Sequence, residues 1–195
     1  HIHYGNDVSN IRQLVENRLK KEKVFVKDIR SREIGRNEQY IGCKLSYFID
    51  KKEVADGINY FIECASSDRK ACFGFLRLRI TENSYFQELK NKGLIRELHV
   101  YNRVKGFSKI KSSSTQHIGI GKHLIKLAEK LSWKHNRNGV AVISGEGVID
   151  YYKNQGYEEG QYYIIKYFDT ISNKFLFLYI LFYVLIIILF LLLVP

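Results

Sequence analysis

Two glycines, Gly119 and Gly121, lie in the run Q-H-I-G-I-G at the start of a helical pattern. Glycine lets the backbone approach a ligand closely, and the unpaired N–H groups of a first helical turn attract anions. The spacing therefore predicts a binding site for a pyrophosphate. The alternative is a glycine turn that simply enters an ordinary helix, because short glycine motifs often occur by chance. A dinucleotide-binding fingerprint would need a third glycine and an acidic residue about 20 positions later, whereas here Glu129 and then a strand follow.

The strand before the glycine turn and the helix after it must position this site. Residues 94–101 are rich in apolar and β-branched side chains, which is typical of a strand. From Ile120 onwards apolar residues recur on one helical face and lysines occupy the other, which predicts an amphipathic helix packed on a sheet. A short apolar strand at 139–144 and a second short helix at 148–154 follow.

The rest of the chain predicts more strands around this unit. Near the start, Ser9 can cap a helix that runs to about residue 23. The other predicted strands are 39–50, 58–65, 71–80 and an aromatic one within 157–168. Several strands with one long helix between them indicate an α+β domain with a mixed sheet.

The composition is strongly basic, because 31 Lys and Arg against 20 Asp and Glu give a formal net charge of +11 over 195 residues. Such a balance suits nucleic acid or an anionic membrane surface as a partner, although a merely basic surface explains it too. Cys43, Cys64 and Cys72 lack metal-binding spacing, so we expect a reducing compartment and no metal site. The chain begins at His1 and contains no Met, so we expect it to be the C-terminal piece of a longer protein.

Residues 175–194 form a long apolar run without any charge. At 1.5 Å per residue a helix of this length matches the roughly 30 Å hydrocarbon core of a bilayer. The run therefore predicts a C-terminal transmembrane helix that acts as a tail anchor, with the preceding domain in the cytosol. Both the endoplasmic reticulum and the mitochondrial outer membrane are open as destinations, and a buried core helix is the alternative.

Several short motifs occur in a fixed order along the chain. They are D-I-R-S-R-E-I-G at 28–35, R-E-L-H-V-Y at 96–101, Q-H-x-G-x-G at 116–121, V-I-S-G-x-G at 142–147 and Y-Y-x-x-x-G-Y at 151–157. Together they resemble the C-terminal acetyltransferase domain of the Elongator complex protein 3 family, a member of the GNAT superfamily of N-acetyltransferases. The resemblance implies a GNAT fold for 37–168. For 1–36 it implies a basic linker and helix from the end of a radical S-adenosylmethionine domain outside this chain.

The resemblance also implies acetyl-CoA as the cofactor. Its pyrophosphate would lie on the helix start, and its pantetheine arm would pair with residues 97–100 like an added strand. Tyr152 matches the family's cofactor-contacting tyrosine and would donate a proton to the departing thiolate, with Tyr151 as the alternative. Glu97 would orient the substrate or act as a base, whereas His99 and His117 are not favoured as bases. The expected cofactor-binding residues are Glu97, Leu98, His99, Val100, Gly119, Ile120, Gly121, Lys122 and Tyr152.

The function that the resemblance implies is modification of the wobble uridine of tRNA toward its 5-carboxymethyl form. The absent domain would hold a [4Fe-4S] cluster and S-adenosylmethionine, and the partners would be tRNA, other Elongator subunits and a membrane. Basic residues over 20–36, including Arg30 and Arg32, together with lysines over 105–111, are expected to contact tRNA phosphates. Two alternatives remain open: a membrane-anchored lysine acetyltransferase of the histone type, and a non-catalytic basic scaffold that binds tRNA.

Overall fold

A mixed seven-stranded sheet forms the centre of the computed structural model, which describes residues 10–101, 119–168 and 179–187. The strands are β1 Leu45–Val54, β2 Gly57–Ser66, β3 Cys72–Thr81, β4 Gly93–Val100, β5 Gly139–Val142, β6 Glu158–Glu159 and β7 Ile164–Tyr167. The α-helices are α1 Ile11–Lys21, α2 Ile120–Lys134 and α3 Ile149–Lys153. The strand order is β1-β2-β3-β4-β5-β7-β6. These elements confirm the predicted α+β domain with a mixed sheet.

The long amphipathic helix α2 covers one face of the sheet. Its buried residues recur at helical spacing and pack on the apolar side chains of the central strands. Leu124 of α2 and Leu76 and Leu78 of β3 are completely or almost completely buried in this core. Because side chains alternate along a strand, Phe75, Arg77 and Arg79 of β3 point to the opposite face. The sheet therefore has one face under α2 and a second face of different chemistry.

The parallel pair β4 and β5 holds together only over a short length. Residues Gly93–Ile95 pair with Val140–Val142, whereas β4 continues alongside β3 to Val100. The register between β3 and β4 also shifts at this point, since Arg77 faces Glu97 but Leu78 faces Ile95. Arg96 is thus the extra residue of a β-bulge, and bulges bend a strand away from its neighbours. The sheet consequently splits between β4 and β5.

A buried ionic network ties the segment before β1 to the sheet. The Arg32 guanidinium donates to the carboxylate of Glu63 on β2, whose side chain is completely buried, and also to the carbonyl of Arg69 at 3.0 Å. Arg69 donates to the second oxygen of Glu63 at 2.9 Å and to Asp50. Arg69 accordingly lowers the pKa of Asp50 through its hydrogen bond. Arg32 therefore belongs to the protein interior, and the expectation that it contacts tRNA phosphates is wrong.

Most predicted elements form, but one strand is shorter than expected. The pattern predicted a strand over 39–50, whereas Glu38–Tyr40 is a turn of 3-10 helix and β1 starts at Leu45. Gly42 between them has a φ of 88°, which is incompatible with an extended strand. The strands predicted at 58–65 and 71–80 appear as β2 and β3.

The predicted transmembrane helix over 175–194 is wrong, and with it the tail-anchored location in the endoplasmic reticulum or mitochondrial outer membrane. Within the described ranges, no helix has the length and apolar character that are needed to cross a membrane. The structure describes this run over 179–187. The remainder of the run lies outside the described residues.

Candidate active site

The first turn of α2 is open where the glycine pair predicted an anion site. Gly119 is the residue before α2 and has a φ of 100°, a conformation that L side chains rarely adopt. A side-chain carbon built on Gly119 would meet no atom of the described residues within 4 Å. Within the described ranges no side chain caps this end, and the first turn contains no acidic residue. The first-turn N–H groups therefore have no helical acceptor and can bind an anion. Gln116 and His117 lie outside the described residues.

Gly121 marks the contact between α2, β4 and α3. A side-chain carbon built on Gly121 would lie 2.4 Å from the hydroxyl oxygen of Tyr151 and 3.5 Å from a methyl group of Val100. The first turn of α2, which we call the helix mouth, thus packs against the end of β4 and against the Tyr151 hydroxyl. A larger residue at this position would therefore force the Tyr151 hydroxyl to shift. Among the predicted site residues, Val100 and Gly121 are brought together.

The two adjacent tyrosines of α3 have different surroundings. Tyr152 is 5% exposed, and its ring packs edge-on against Tyr157 with the centroids 5.7 Å apart. Burial raises the pKa of Tyr152 to about 12, with a smaller contribution from Tyr151. Tyr151 is 36% exposed, and its pKa is also raised by burial. Both phenols therefore stay protonated at neutral pH and can donate a proton. Tyr151 is the one whose hydroxyl reaches α2.

Glu97 lies on the sheet face that points away from α2. It forms an ion pair with Arg77 of β3, with Nε and Oε2 3.4 Å apart, and both side chains are about half exposed. On the same face His99 stacks on Phe75 with the ring centroids 5.9 Å apart, and it meets the Tyr101 ring edge-on at 4.5 Å. Leu98 and Val100 alternate with these residues and pack toward the core. Glu97 and the α3 tyrosines thus lie on opposite sides of β4.

Arg77 is a residue of the site that the sequence did not reveal. Its relation to Glu97 depends on the register of β3 against β4, including the bulge at Arg96. A one-residue change of register would place Arg77 on the other face. The available signal was the alternation of Arg77 and Arg79 with buried leucines, which marks an exposed face but not the partner.

The remaining predicted site residues line the helix mouth. The side chain of Ile120 is buried in the core and its N–H belongs to the first turn of α2, whereas the side chain of Lys122 is exposed. His123 is exposed too, and its ring lies 4.2 Å from that of Tyr47 on β1. The roles of Glu97, Lys122 and Tyr152 in binding and catalysis stay predictions.

No family model matches the chain. It is 34% identical to Elongator complex protein 3 of Dictyostelium discoideum and 35% identical to that of Danio rerio, over 84% and 82% of this chain and 30% of each relative. It is 30% identical to the tRNA uridine(34) acetyltransferase of Methanocaldococcus jannaschii, over 85% of this chain and 32% of that protein. The solved structure of archaeal Methanocaldococcus infernus Elp3 superposes with a TM-score of 0.71 at 28% identity, over 83% of this chain and 40% of that one.

The split sheet with an open helix mouth beside the longer strand defines a domain of the GNAT acetyltransferase fold. The chain spans about 30% of the length of the curated relatives that it matches. Over that part it belongs to the Elongator complex protein 3 family, which confirms the resemblance based on the sequence motifs.

Proposed function

We propose that this chain is the acetyl-CoA-binding part of a tRNA uridine(34) acetyltransferase. The observation that carries the proposal is the continuation of β4 from Arg96 to Val100 beyond its pairing with β5, with the open first turn of α2 against its end. The names of the relatives supply the substrate class. Acetyl-CoA, when bound, supplies an acetyl group activated as a thioester.

The helix mouth and the free side of β4 fit the two polar parts of acetyl-CoA. The N–H groups of Ile120, Gly121 and Lys122 can donate to a pyrophosphate, and the exposed Lys122 ammonium adds a positive charge. Residues 97–100 have backbone groups free on the β5 side among the described residues, so they can pair with the amides of the pantetheine arm.

Residues on the two sides of β4 would donate and accept protons in the reaction. The proton or hydrogen bond to the departing thiolate comes from Tyr152, or from Tyr151 beside it, because a tyrosine phenol is protonated at neutral pH. Glu97 on the opposite face, held by Arg77, orients the acceptor or accepts a proton from it. In this proposal the acid acts on the cofactor side and the carboxylate on the acceptor side.

The complete tRNA reaction requires more than this chain. The resemblance implies a [4Fe-4S] cluster, S-adenosylmethionine and other Elongator subunits, all of which we assign to parts outside it. A protein lysine acetyltransferase is the second interpretation, and none of the relatives named here is described in those terms.

The experiment is a calorimetric titration of acetyl-CoA into the wild-type chain and Lys122→Glu. A carboxylate in the first helical turn favours the helix dipole, so the fold is expected to remain intact. It should repel the pyrophosphate and weaken acetyl-CoA binding about tenfold or more. Lys126→Glu is the matched control, because it makes the same charge change on an exposed residue one turn further along α2. Equal affinities for the two variants would contradict the cofactor site.

The macromolecular substrate is tested separately by charge reversal at the exposed Arg30. Because Arg32 is buried, Arg30→Glu alone probes the basic segment without disturbing the interior. We expect weaker tRNA binding, with a less steep salt dependence by about 0.7 in the log–log slope per lost phosphate contact, and unchanged acetyl-CoA affinity. Rapid acetylation of a lysine-rich peptide together with salt-independent tRNA binding would favour the lysine acetyltransferase instead.

A further inference from the structure

A cleft of about 680 Å³ opens at the end of the sheet that is remote from the helix mouth. We call it the Tyr85 cleft, and it is lined by Glu82, Asn83, Ser84, Tyr85, Lys90, Asn91 and Arg137. These residues come from the loop between β3 and β4 and from the turn before β5. They therefore lie where β4 begins, whereas Gly121 contacts Val100 where β4 ends. The length of β4 separates the two sites by about 25 Å.

Tyr85 presents an aromatic ring to solvent without being loosely attached. The side chain is 94% exposed, yet its ring meets Phe86 edge-on at a centroid distance of 5.5 Å. Phe86 in turn packs on the rings of Tyr162 and Tyr163. Two residues later, the Glu88 carboxylate accepts hydrogen bonds from the N–H groups of Gln161 at 2.6 Å and Tyr162 at 3.0 Å. Phe86 and Glu88 thus fix the loop to the hairpin of β6 and β7, and Tyr85 presents its ring to solvent from this loop.

Arg137 contributes a cation to the cleft, and one of its guanidinium nitrogens has no hydrogen-bond acceptor among the described residues. The residue is 9% exposed, and its terminal nitrogens donate to the Glu82 carboxylate. Its Nε is the buried side-chain nitrogen that lacks a hydrogen-bond partner in the described part of the chain. The side chain of Glu82 is 79% exposed and that of Arg137 only 8%, so an anionic ligand would reach the guanidinium by displacing the Glu82 carboxylate. Lys90, also exposed, adds a second positive charge.

The lining combines an aromatic surface, two amide side chains and two cations, one of which is paired with the Glu82 carboxylate, and this combination suits one ligand class. Bases of single-stranded nucleic acids stack on aromatic rings, amide groups bond to base edges, and Arg or Lys holds the phosphate. The net charge of +11 favours an anionic polymer over a basic peptide. A polymer is also the kind of ligand that can reach both the cleft and a site about 25 Å away.

We infer that the Tyr85 cleft binds an unpaired nucleotide of RNA, with the base stacked on Tyr85 and the phosphate held by Lys90 and Arg137. This inference rests on the proposed function, because the RNA is the tRNA substrate of the same chain. The cleft is a second contact that fixes the orientation of the tRNA while another part of it lies near the acetyl site.

The test measures binding of a fluorescently labelled single-stranded oligouridylate and of intact tRNA to the full chain. Tyr85→Ala should weaken oligouridylate binding about tenfold, and Tyr85→Phe should restore it, because a phenyl ring still stacks. Lys90→Glu should reduce the salt slope by about 0.7. Trp133→Ala is the matched control, because that ring on α2 is 65% exposed and does not line the cleft.

The outcomes separate this inference from the proposed function. If the wild type binds tRNA and oligouridylate while Tyr85→Ala and Lys90→Glu bind as tightly as Trp133→Ala, the cleft is not an RNA site and the proposed function stands. If the wild type binds acetyl-CoA but no RNA, both the inference and the tRNA assignment fail. Selective binding of an acidic peptide in the cleft, lost in Tyr85→Ala, would also overturn the inference.

Discussion

The substitution Gly121→Ala tests the contact that fixes the helix mouth. An added methyl group would lie 2.4 Å from the Tyr151 hydroxyl oxygen, but 3.5 Å from the ring carbon that bears it and from Val100. Only the hydroxyl is an obstacle, because 3.5 Å is an ordinary contact between carbon atoms. We therefore expect Gly121→Ala to destabilise the wild type and to be tolerated in a Tyr151→Phe background.

The magnitude follows from two opposing effects. Replacing Gly by Ala within a helix gains up to about 1 kcal/mol, and Gly121 has no positive φ that would forbid alanine. Overpacking costs about 1–3 kcal/mol. In the Tyr151→Phe background the gain remains and the collision is absent, so the substitution should be neutral or stabilising. The coupling between the two positions should therefore be about 1–3 kcal/mol.

Urea unfolding of the wild type, both single variants and the double variant measures this coupling. The midpoint should change while the slope m stays constant, because the same surface is exposed on unfolding. If Gly121→Ala has the same effect in both backgrounds within about 0.5 kcal/mol, the Tyr151 hydroxyl does not contact the first turn of α2.

Three further predictions concern the interior. Arg32→Ala removes one of the cations on the buried Glu63 and should lower the free energy of unfolding by about 3 kcal/mol; a loss below about 1 kcal/mol in urea unfolding would show that this pair matters little. Because the pKa of Tyr152 is raised to about 12, the folded state keeps a phenol proton that the unfolded state releases above about pH 10. The stability that this proton contributes is full below about pH 10 and should be lost as the pH rises toward 12. A melting temperature that stays constant across that window would contradict this prediction. Burial raises the pKa of Cys72 to about 12, so iodoacetamide should modify it at least about a hundredfold more slowly than the partly exposed Cys43, and equal rates by mass spectrometry would show that the core opens readily.

Periodicity predicted the helix and strands around the site because their burial follows the sequence pattern. The alternation of apolar and polar residues placed α2 and β4 correctly, and the glycine pair located the helix mouth. The ion pair of Glu97 with Arg77 was not predictable, because it depends on the register and on a bulge at Arg96.

Charge and hydropathy were misleading where burial depends on distant partners. The sequence suggested that Arg32 belongs to a solvated basic run, but it is buried in an ion pair with Glu63, which lies far from it in the sequence. The apolar run over 175–194 predicted a membrane span from hydropathy alone, whereas within the described ranges no helix has the length and apolar character to cross a membrane.

Among the described residues, the backbone of β4 from Arg96 to Val100 is unpaired on the β5 side, which affects the aggregation of the protein in a cell. Unpaired strand edges are templates for pairing with other chains and so promote aggregation. If acetyl-CoA covers this edge as proposed, a concentration about 100 times its dissociation constant would stabilise the folded state by about 2.7 kcal/mol. A fall in the acetyl-CoA concentration would then remove this stabilisation and leave the edge open to pairing with other chains.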